Sequence, residues 1–273
     1  MNQMPKAAND AAGAQDLCSR LADGEARLAD GSVAHVAWQL PEEVPVALQF
    51  NSESYTVMMA TPADLRDFAI GFVLGEGLIA SVADIKGVLV MPVENGITVD
   101  VAVAESAINP ARLVRRSVEG RSGCGLCGVE DIASAIRPLV PVARTRAPST
   151  AAILKAAQAL PGRQPMNRLN HTVHGAAWVD FDGSIVLVRE DVGRHSALDK
   201  LIGALAQAKT DPASGFVMMT SRCSFELVQK AVTFGIGALV TVSAPTALAR
   251  DLAEKSNLFL AALGAGGVVV FNP

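Results

Sequence analysis

From residue 176 onward, apolar runs short enough to be strands alternate with helical patterns, and this alternation constrains the fold more than any other feature of the chain. Residues 176–181 and 184–189 flank Asp182-Gly183, a dipeptide suited to the positive φ of a two-residue hairpin turn. Residues 196–208 then place Ala197, Leu198, Leu201, Ile202 and Leu205 along one side of a helix. A strand at 216–219, a helix at 224–234, a strand at 238–242, a helix at 245–256 and a strand at 258–263 follow in turn. Such a chain packs helices on a sheet, so the predicted class is α/β.

The first half is patterned differently. Residues 44–50 and 55–59 read as paired strands around Asn51-Ser52-Glu53-Ser54. Thr61-Pro62-Ala63-Asp64 supplies an N-cap, a proline at the first helical position and an acidic first turn. In the helix that follows, Leu65, Phe68, Ala69, Phe72 and Val73 share a face, and Gly75 and Gly77 fit its end. Strands at 88–91 and 97–103, and a helix at 149–160, complete the pattern. Residues 1–40 are rich in Ala, Asp and Gly and read as a flexible lead-in. The expected division is that lead-in, a smaller α+β subdomain at 41–110, and an α/β domain at 111–273.

Half of the residues are hydrophobic and 18% are charged, which indicates a folded chain. The longest uncharged apolar run, 258–271, is too short and glycine-rich to span a bilayer, and no basic start followed by an apolar core marks a secretory signal. A cytoplasmic protein is expected, with neither a membrane nor a nucleic acid as partner. Its four cysteines in 273 residues make no disulfide framework. Charge is uneven: residues 112–168 hold ten Lys and Arg against Glu119, Glu130 and Asp131, a balance of +7, leaving −11 elsewhere in a chain of net charge −4. A positive field there draws in anions and favours a thiolate, although these arginines could equally be solvated surface charges.

Within that basic part lies Arg121-Ser122-Gly123-Cys124-Gly125-Leu126-Cys127-Gly128, running into a helical pattern at 129–136. Two thiols three residues apart at a helix start sit where unpaired N–H groups and the dipole lower a thiol pKa. Three uses of Cys124 and Cys127 fit: a zinc site completed by His171 and His174, disulfide exchange, and persulfide transfer. Nucleobase deamination does not, because no histidine is followed two residues later by the required Glu.

Other clusters sit where predicted strands meet helices. Residues 188–200 hold seven ionisable groups, Arg194 and His195 among them, and could be a ligand site or a cap with exposed charges on the next helix. Thr220-Ser221-Arg222-Cys223-Ser224-Phe225-Glu226 presents Arg222 to a phosphate or carboxylate, with Cys223 as a small buried residue. Ser243-Ala244-Pro245-Thr246 repeats the arrangement. If the strands are parallel, these junctions line one sheet edge and form an anion-lined groove. Residues 263–268 form a glycine-rich bend with no following helix, so they lack the context of a dinucleotide fingerprint.

Taken together, the chain resembles the formate dehydrogenase accessory sulfurtransferase family (FdhD). The resemblance rests on Met58-Met59-Ala60-Thr61-Pro62, Ile70-Gly71-Phe72 with Glu76-Gly77, and Gly123-Cys124-Gly125-Leu126-Cys127-Gly128. It continues through Arg189-Glu190-Asp191-Val192-Gly193-Arg194-His195 with Asp199-Lys200, then Ser224-Phe225-Glu226, Gln229-Lys230 and Ser243-Ala244-Pro245-Thr246. It implies a cytidine-deaminase-like α/β sheet with flanking helices plus a smaller α+β N-terminal domain, in a homodimer. It also implies a sulfur carrier that takes persulfide sulfur from a cysteine desulfurase and passes it to the molybdenum bis(molybdopterin guanine dinucleotide) cofactor of formate dehydrogenase. Cys124 would bear the persulfide and Cys127 would be its partner. The cofactor would be a bound client rather than a permanent group, contacted by Leu263, Gly264, Ala265, Gly266, Gly267 and Val268 with Arg194, His195 and Arg222. A non-catalytic cofactor chaperone and a structural zinc protein are the alternatives.

The chain departs from the family pattern in three places. Asn170-His171-Thr172-Val173-His174 stands for Thr-Gly-Gly-x-His, Ser196 follows Gly193-Arg194-His195 where Asn is usual, and residues 263–268 lack an arginine.

Overall fold

The computed structural model describes residues 18–112, 137–143, 146–264 and 266–273. Cys124, Cys127 and Ala265 lie outside them. The described chain is mixed α/β, with three sheets.

The first sheet corrects the reading of residues 19–40 as part of a lead-in. Strands β1 (Ser19–Arg27) and β2 (Val33–Pro41) pair antiparallel over their whole length. Asp30-Gly31 makes the turn: Gly31 has a φ of 84°, and Asp30 Oδ1 accepts hydrogen bonds from the Ser32 amide and hydroxyl. A period of two is present in β1, where Ala22, Gly24 and Ala26 alternate with Asp23, Glu25 and Arg27, but alanine and glycine make it a faint apolar signal.

The second sheet holds β3 (Val44–Phe50), β4 (Glu53–Ala60), β5 (Ile85–Val93) and β6 (Gly96–Val103) in the order β4-β3-β6-β5. Its inner face, with Val46, Leu48, Val99 and Val101, packs with helix α1 (Leu65–Gly75) in the main core. Thr61 does not cap α1 as predicted. The N-cap is Asp64, in a left-handed conformation with φ 51°, because Thr61 is committed elsewhere in the core. The end of α1 follows the prediction: Gly77, at φ 67°, donates to Leu74 O while Leu78 donates to Val73 O, the paired bonds of a Schellman turn.

The third sheet comprises β7 (His174–Asp180), β8 (Ile185–Asp191), β9 (Gly215–Met219), β10 (Ala238–Thr241), β11 (Phe259–Gly264) and β12 (Gly267–Asn272). Their order is β12-β11-β10-β9-β7-β8. Strands β9, β10 and β11 are parallel, whereas β7 is antiparallel to both β9 and β8. Two reversals restore direction, so β8, β9, β10 and β11 all end at one edge.

Both faces of this sheet are covered. Ala176, Trp178, Val217, Met219 and Leu239 face the main core, whereas Ala177, Val179, Phe216, Met218 and Val240 meet Ile153 and Ala156 of α2 (Thr150–Ala159). Burial on both sides explains why these strands read as unbroken apolar runs. Of residues 263–268, predicted as a bend, Leu263 and Gly264 end β11 and pair with Val268 and Gly267 at the start of β12, with Gly266 at φ 77°. Helices α3 (Pro165–Asn170), α4 (Arg194–Gln207), α5 (Phe225–Phe234) and α6 (Ala247–Lys255) complete the described fold.

Helix α4 is buried from His195 to Ala206, not on one side alone as predicted. It lies between β7 and β8 on one flank and α1 on the other. Two glycines make that crossing: a Cβ on Gly71 would stand 1.7 Å from Asp199 O, and one on Gly203 would stand 1.9 Å from Asp67 O. In each direction the obstacle is backbone, which cannot turn aside as a side chain can. Gly71→Ala is therefore expected to lose about 3 kcal/mol or more of stability in urea unfolding, the upper range for overpacking. A loss below about 1 kcal/mol would show that the helices part easily. No described helix is long and apolar enough to cross a membrane.

Candidate functional site

At the shared end of β8 to β11 the chain makes three of the junctions marked in the sequence. After β8, Asp191 turns the chain by accepting the Gly193 amide at 2.7 Å, and Arg194 and His195 open α4. After β9 the chain passes through Thr220, Ser221, Arg222 and Cys223 to Ser224, the N-cap of α5. Thr220 Oγ1 accepts the Gly175 amide at 2.8 Å, tying this junction to the start of β7. After β10, Cys223 bridges to Pro245 and the Thr246 amide donates to Cys223 O at 3.0 Å, so the second and third junctions brace each other.

Two helix starts meet at His195. Its Nε2 lies 3.3 Å from Ser224 Oγ and 3.8 Å from Glu226 Oε2, with His195 and Ser224 both buried. Burial works to raise the Glu226 carboxyl, but its contacts with His195 and Ser224 outweigh that and hold it at about 2. His174, the first residue of β7, has its pKa lowered by burial first and then by the positive charges of Arg194 and His195. Cys223 is fully buried, and desolvation followed by the Glu226 charge pushes its thiol up to about 12. It is a packed residue, as predicted, and no nucleophile.

Most of the ionisable cluster at 188–200 proves internal, which rules out exposed charges on the helix. Lys200 and Asp191 are both fully buried and 2.7 Å apart. Lys200 also donates to Thr61 O at 3.0 Å and Glu190 O at 3.3 Å. Asp191 Oδ2 accepts the Thr61 amide and Thr61 Oγ1 accepts the Val192 amide, which is why Thr61 is not a helix cap. Glu190 accepts the Met166 and Asn167 amides at 3.0 and 2.9 Å, and Arg189 pairs with Asp67 at 2.7 Å.

One helical turn further, Lys230 of α5 pairs with Asp199 at 2.8 Å and with Glu76, just past α1, at 2.9 Å. Its Nζ also lies 4.9 Å from the centre of the Phe72 ring. Burial, then the neighbouring Glu76 charge, raises Asp199 to about 6 against the opposing pull of Lys230. Glu76 in turn binds the Arg137 guanidinium, and Gln229 accepts the Arg137 amide at 2.8 Å. Sequence reading left Glu76, Arg137, Gln229 and Lys230 off the site. The available signal was a charge set within apolar helical stretches, as with Lys230 beside Val228, Ala231 and Val232.

The predicted contact residues are thus spread along one edge. Arg194 and His195 lie at its β8 end. Arg222 is exposed between β9 and α5 and makes no ion pair among the described residues. Leu263, Gly264, Gly266, Gly267 and Val268 lie at the hairpin end of β11 and β12, two strands beyond Arg222 or about 10 Å at ordinary strand spacing. Gly264 and Gly266 are exposed there. His171 is exposed past the end of α3.

The FdhD/NarQ family model matches residues 41–270. The chain belongs to the FdhD/NarQ family. Relatives include a sulfur carrier protein FdhD of Bordetella petrii, 46% identical over 222 residues that cover 81% of this chain and 80% of the relative. That of Cupriavidus necator is 45% identical over 254 residues, covering 93% and 86%. A crystal structure described as that of a candidate formate dehydrogenase accessory protein from Desulfotalea psychrophila superposes with a TM-score of 0.71. It covers 94% of this chain and 97% of its own at 23% identity, a likeness of fold. The FdhD/NarQ match takes in both helix starts that meet at His195 and both cysteines of the CxxC.

Two outcomes follow from these charges. Lys200→Met leaves Asp191 buried without its cation and should cost about 3–5 kcal/mol, with much of the loss recovered in the double variant Lys200→Met with Asp191→Leu. Chemical denaturation of the four-member cycle measures it. Because Glu226 is held near 2 rather than the ordinary 4.5, its contribution is present above pH 4.5 and is lost as pH falls through 2. Melting temperatures across that window should fall more steeply for the native chain than for Glu226→Gln; parallel curves would mean that the carboxylate is not held.

Proposed function

We propose that this chain is a sulfurtransferase of the cytoplasm that carries sulfur to formate dehydrogenase. Cys124 takes the sulfane sulfur of a cysteine desulfurase: its thiolate attacks that sulfur, a new S–S bond forms, and the desulfurase cysteine leaves as a thiolate. Cys127 then attacks the inner sulfur of the Cys124 persulfide, forming a Cys124–Cys127 disulfide and expelling the outer sulfur as hydrosulfide. The two thiols thereby supply the two electrons that turn sulfane sulfur into sulfide. The acceptor is the molybdenum bis(molybdopterin guanine dinucleotide) cofactor, bound as substrate, and two equivalents of a cellular thiol return the pair to its reduced form by exchange, leaving as their own disulfide.

The observation that carries this reading is a family match that spans both cysteines, with relatives named as sulfur carriers at 46% identity. The sheet edge supports it. From the β11–β12 turn to Arg194 it runs about 19 Å at ordinary strand spacing, with two arginines and a glycine turn along it. Such an edge suits an extended anionic ligand, the arginines taking phosphate oxygens and the side-chain-free turn admitting a flat ring. A homodimer places two such edges in one particle.

Incubation with a cysteine desulfurase and L-cysteine, followed by intact mass measurement, tests the proposal. The native chain should gain one sulfur atom and Cys124→Ala none. Cys127→Ala should load normally but release sulfide to an acceptor at least about tenfold more slowly, since no internal thiol remains to attack. Equal loading of Cys124→Ala and the native chain would sink the reading.

A further inference from the structure

The second sheet has one face packed on α1 and the other open. Residues opposite each other on paired strands point the same way, so register sets the open face out in rows. Val57, Ala47, Thr98 and Met91 form a row across all four strands. Two residues along, on one side, Met59 stands beside Pro45 with Val93 on β5; on the other, Gln49 and Leu89 flank Asp100. Of these, Val57, Met59, Leu89 and Val93 are between 37% and 57% exposed. So much apolar surface on one sheet face marks a place of contact with another molecule.

Area and charge point to a second copy as the occupant. Four strands at ordinary spacing and the seven residues of β3 at ordinary rise make the face about 19 Å by 23 Å, or about 440 Å². Two such faces enclose about 900 Å² in flat outline, and side-chain relief takes the accessible area past the roughly 1,000 Å² that a specific pair needs. Asp100 is the one charged residue in these rows, and Ser52 already satisfies it with its amide and hydroxyl, both at 3.0 Å. A two-fold axis lying along the Ala47 row sends the two copies of Asp100 to opposite ends, about 13 Å apart along the strands, beyond the screening length of about 8 Å in physiological salt. Edge-on growth is disfavoured instead: Pro92 lies in the edge strand β5, and register shifts interrupt the β3–β4 and β5–β6 pairings.

We propose that two copies of the chain meet through this open face, sheet on sheet about 10 Å apart, around a two-fold axis along the Ala47 row. The inference rests on the homodimer of the proposed function and names the face that makes it; it does not rest on the sulfur chemistry. With that axis Leu89 of each copy packs toward Val93 of the other, and the two Val57 side chains come together on the axis.

Sedimentation velocity of the full chain over a dilution series tests it. The native chain should sediment as a dimer, and Val57→Lys and Val57→Asp should each raise the dissociation constant by about a hundredfold. An equimolar mixture of the two variants should pair at least about tenfold more tightly than either alone, because opposite charges then meet on the axis. Val186→Lys, a like change at an equally exposed position on β8, should stay within about twofold of the native chain. Hydroxyl-radical footprinting of the native chain needs no variant: Met59 oxidation should fall by about threefold or more on pairing, with Trp38, exposed on β2, unchanged. If the Val57 variants do not fold, Met59 protection decides in their place. A native dimer with Met59 unprotected, one whose dissociation constant Val57→Lys leaves unmoved, or a mixture no tighter than its parts overturns the proposed face and leaves the homodimer standing. A native chain that stays monomeric at every concentration overturns both.

Discussion

Two helices touching backbone to backbone set the rest of this structure. Gly71 and Gly203 let α1 and α4 approach until no side chain fits between them. That closeness carries the second sheet against the third through a pair of helices rather than a filled layer. It also brings Glu76 at the end of α1, Asp199 on α4 and Lys230 on α5 within ion-pair distance of one another. Neither effect survives a wider crossing.

The charges inside follow from the same geometry. A helix enclosed on every side must bury whatever its sequence places there, and α4 carries Asp199 and Lys200 side by side. Each is matched from a different element, Asp199 by α5 and Lys200 by the end of β8. Unmatched, either would cost several kcal/mol; matched, they fix the relative placement of three helices and two sheets. The ionisable cluster that looks like a ligand site in the sequence is therefore mainly a set of internal ties. At its margin stand Arg194 and, one junction on, the exposed Arg222.

Strand and helix order in the second half was legible because both faces of the third sheet are buried, which makes long apolar runs, and because turns such as Asp182-Gly183 have few alternatives. The β1–β2 hairpin was not, since its apolar side is built largely of small residues that pack little. Thr61 misled for a different reason. Its local pattern is that of a helix cap, yet the distant Asp191 and Val192 claim its polar groups. Local chemistry proposes a partner, and a nearer one brought by tertiary packing takes precedence.

For the site, the amino-acid sequence alone marked the CxxC, the strand-end junctions and the family to which they point, because residue type and spacing are properties of the chain. It could not tell a buried ion pair from a solvated charge, nor show that Arg194, Arg222 and the β11–β12 turn share one edge. Those depend on strand direction, and the direction of β8 relative to β9 is set by β7 lying between them. Only the tertiary structure decided that Arg137 meets Glu76, since a separation of 61 positions along the chain carries no local signal of the contact.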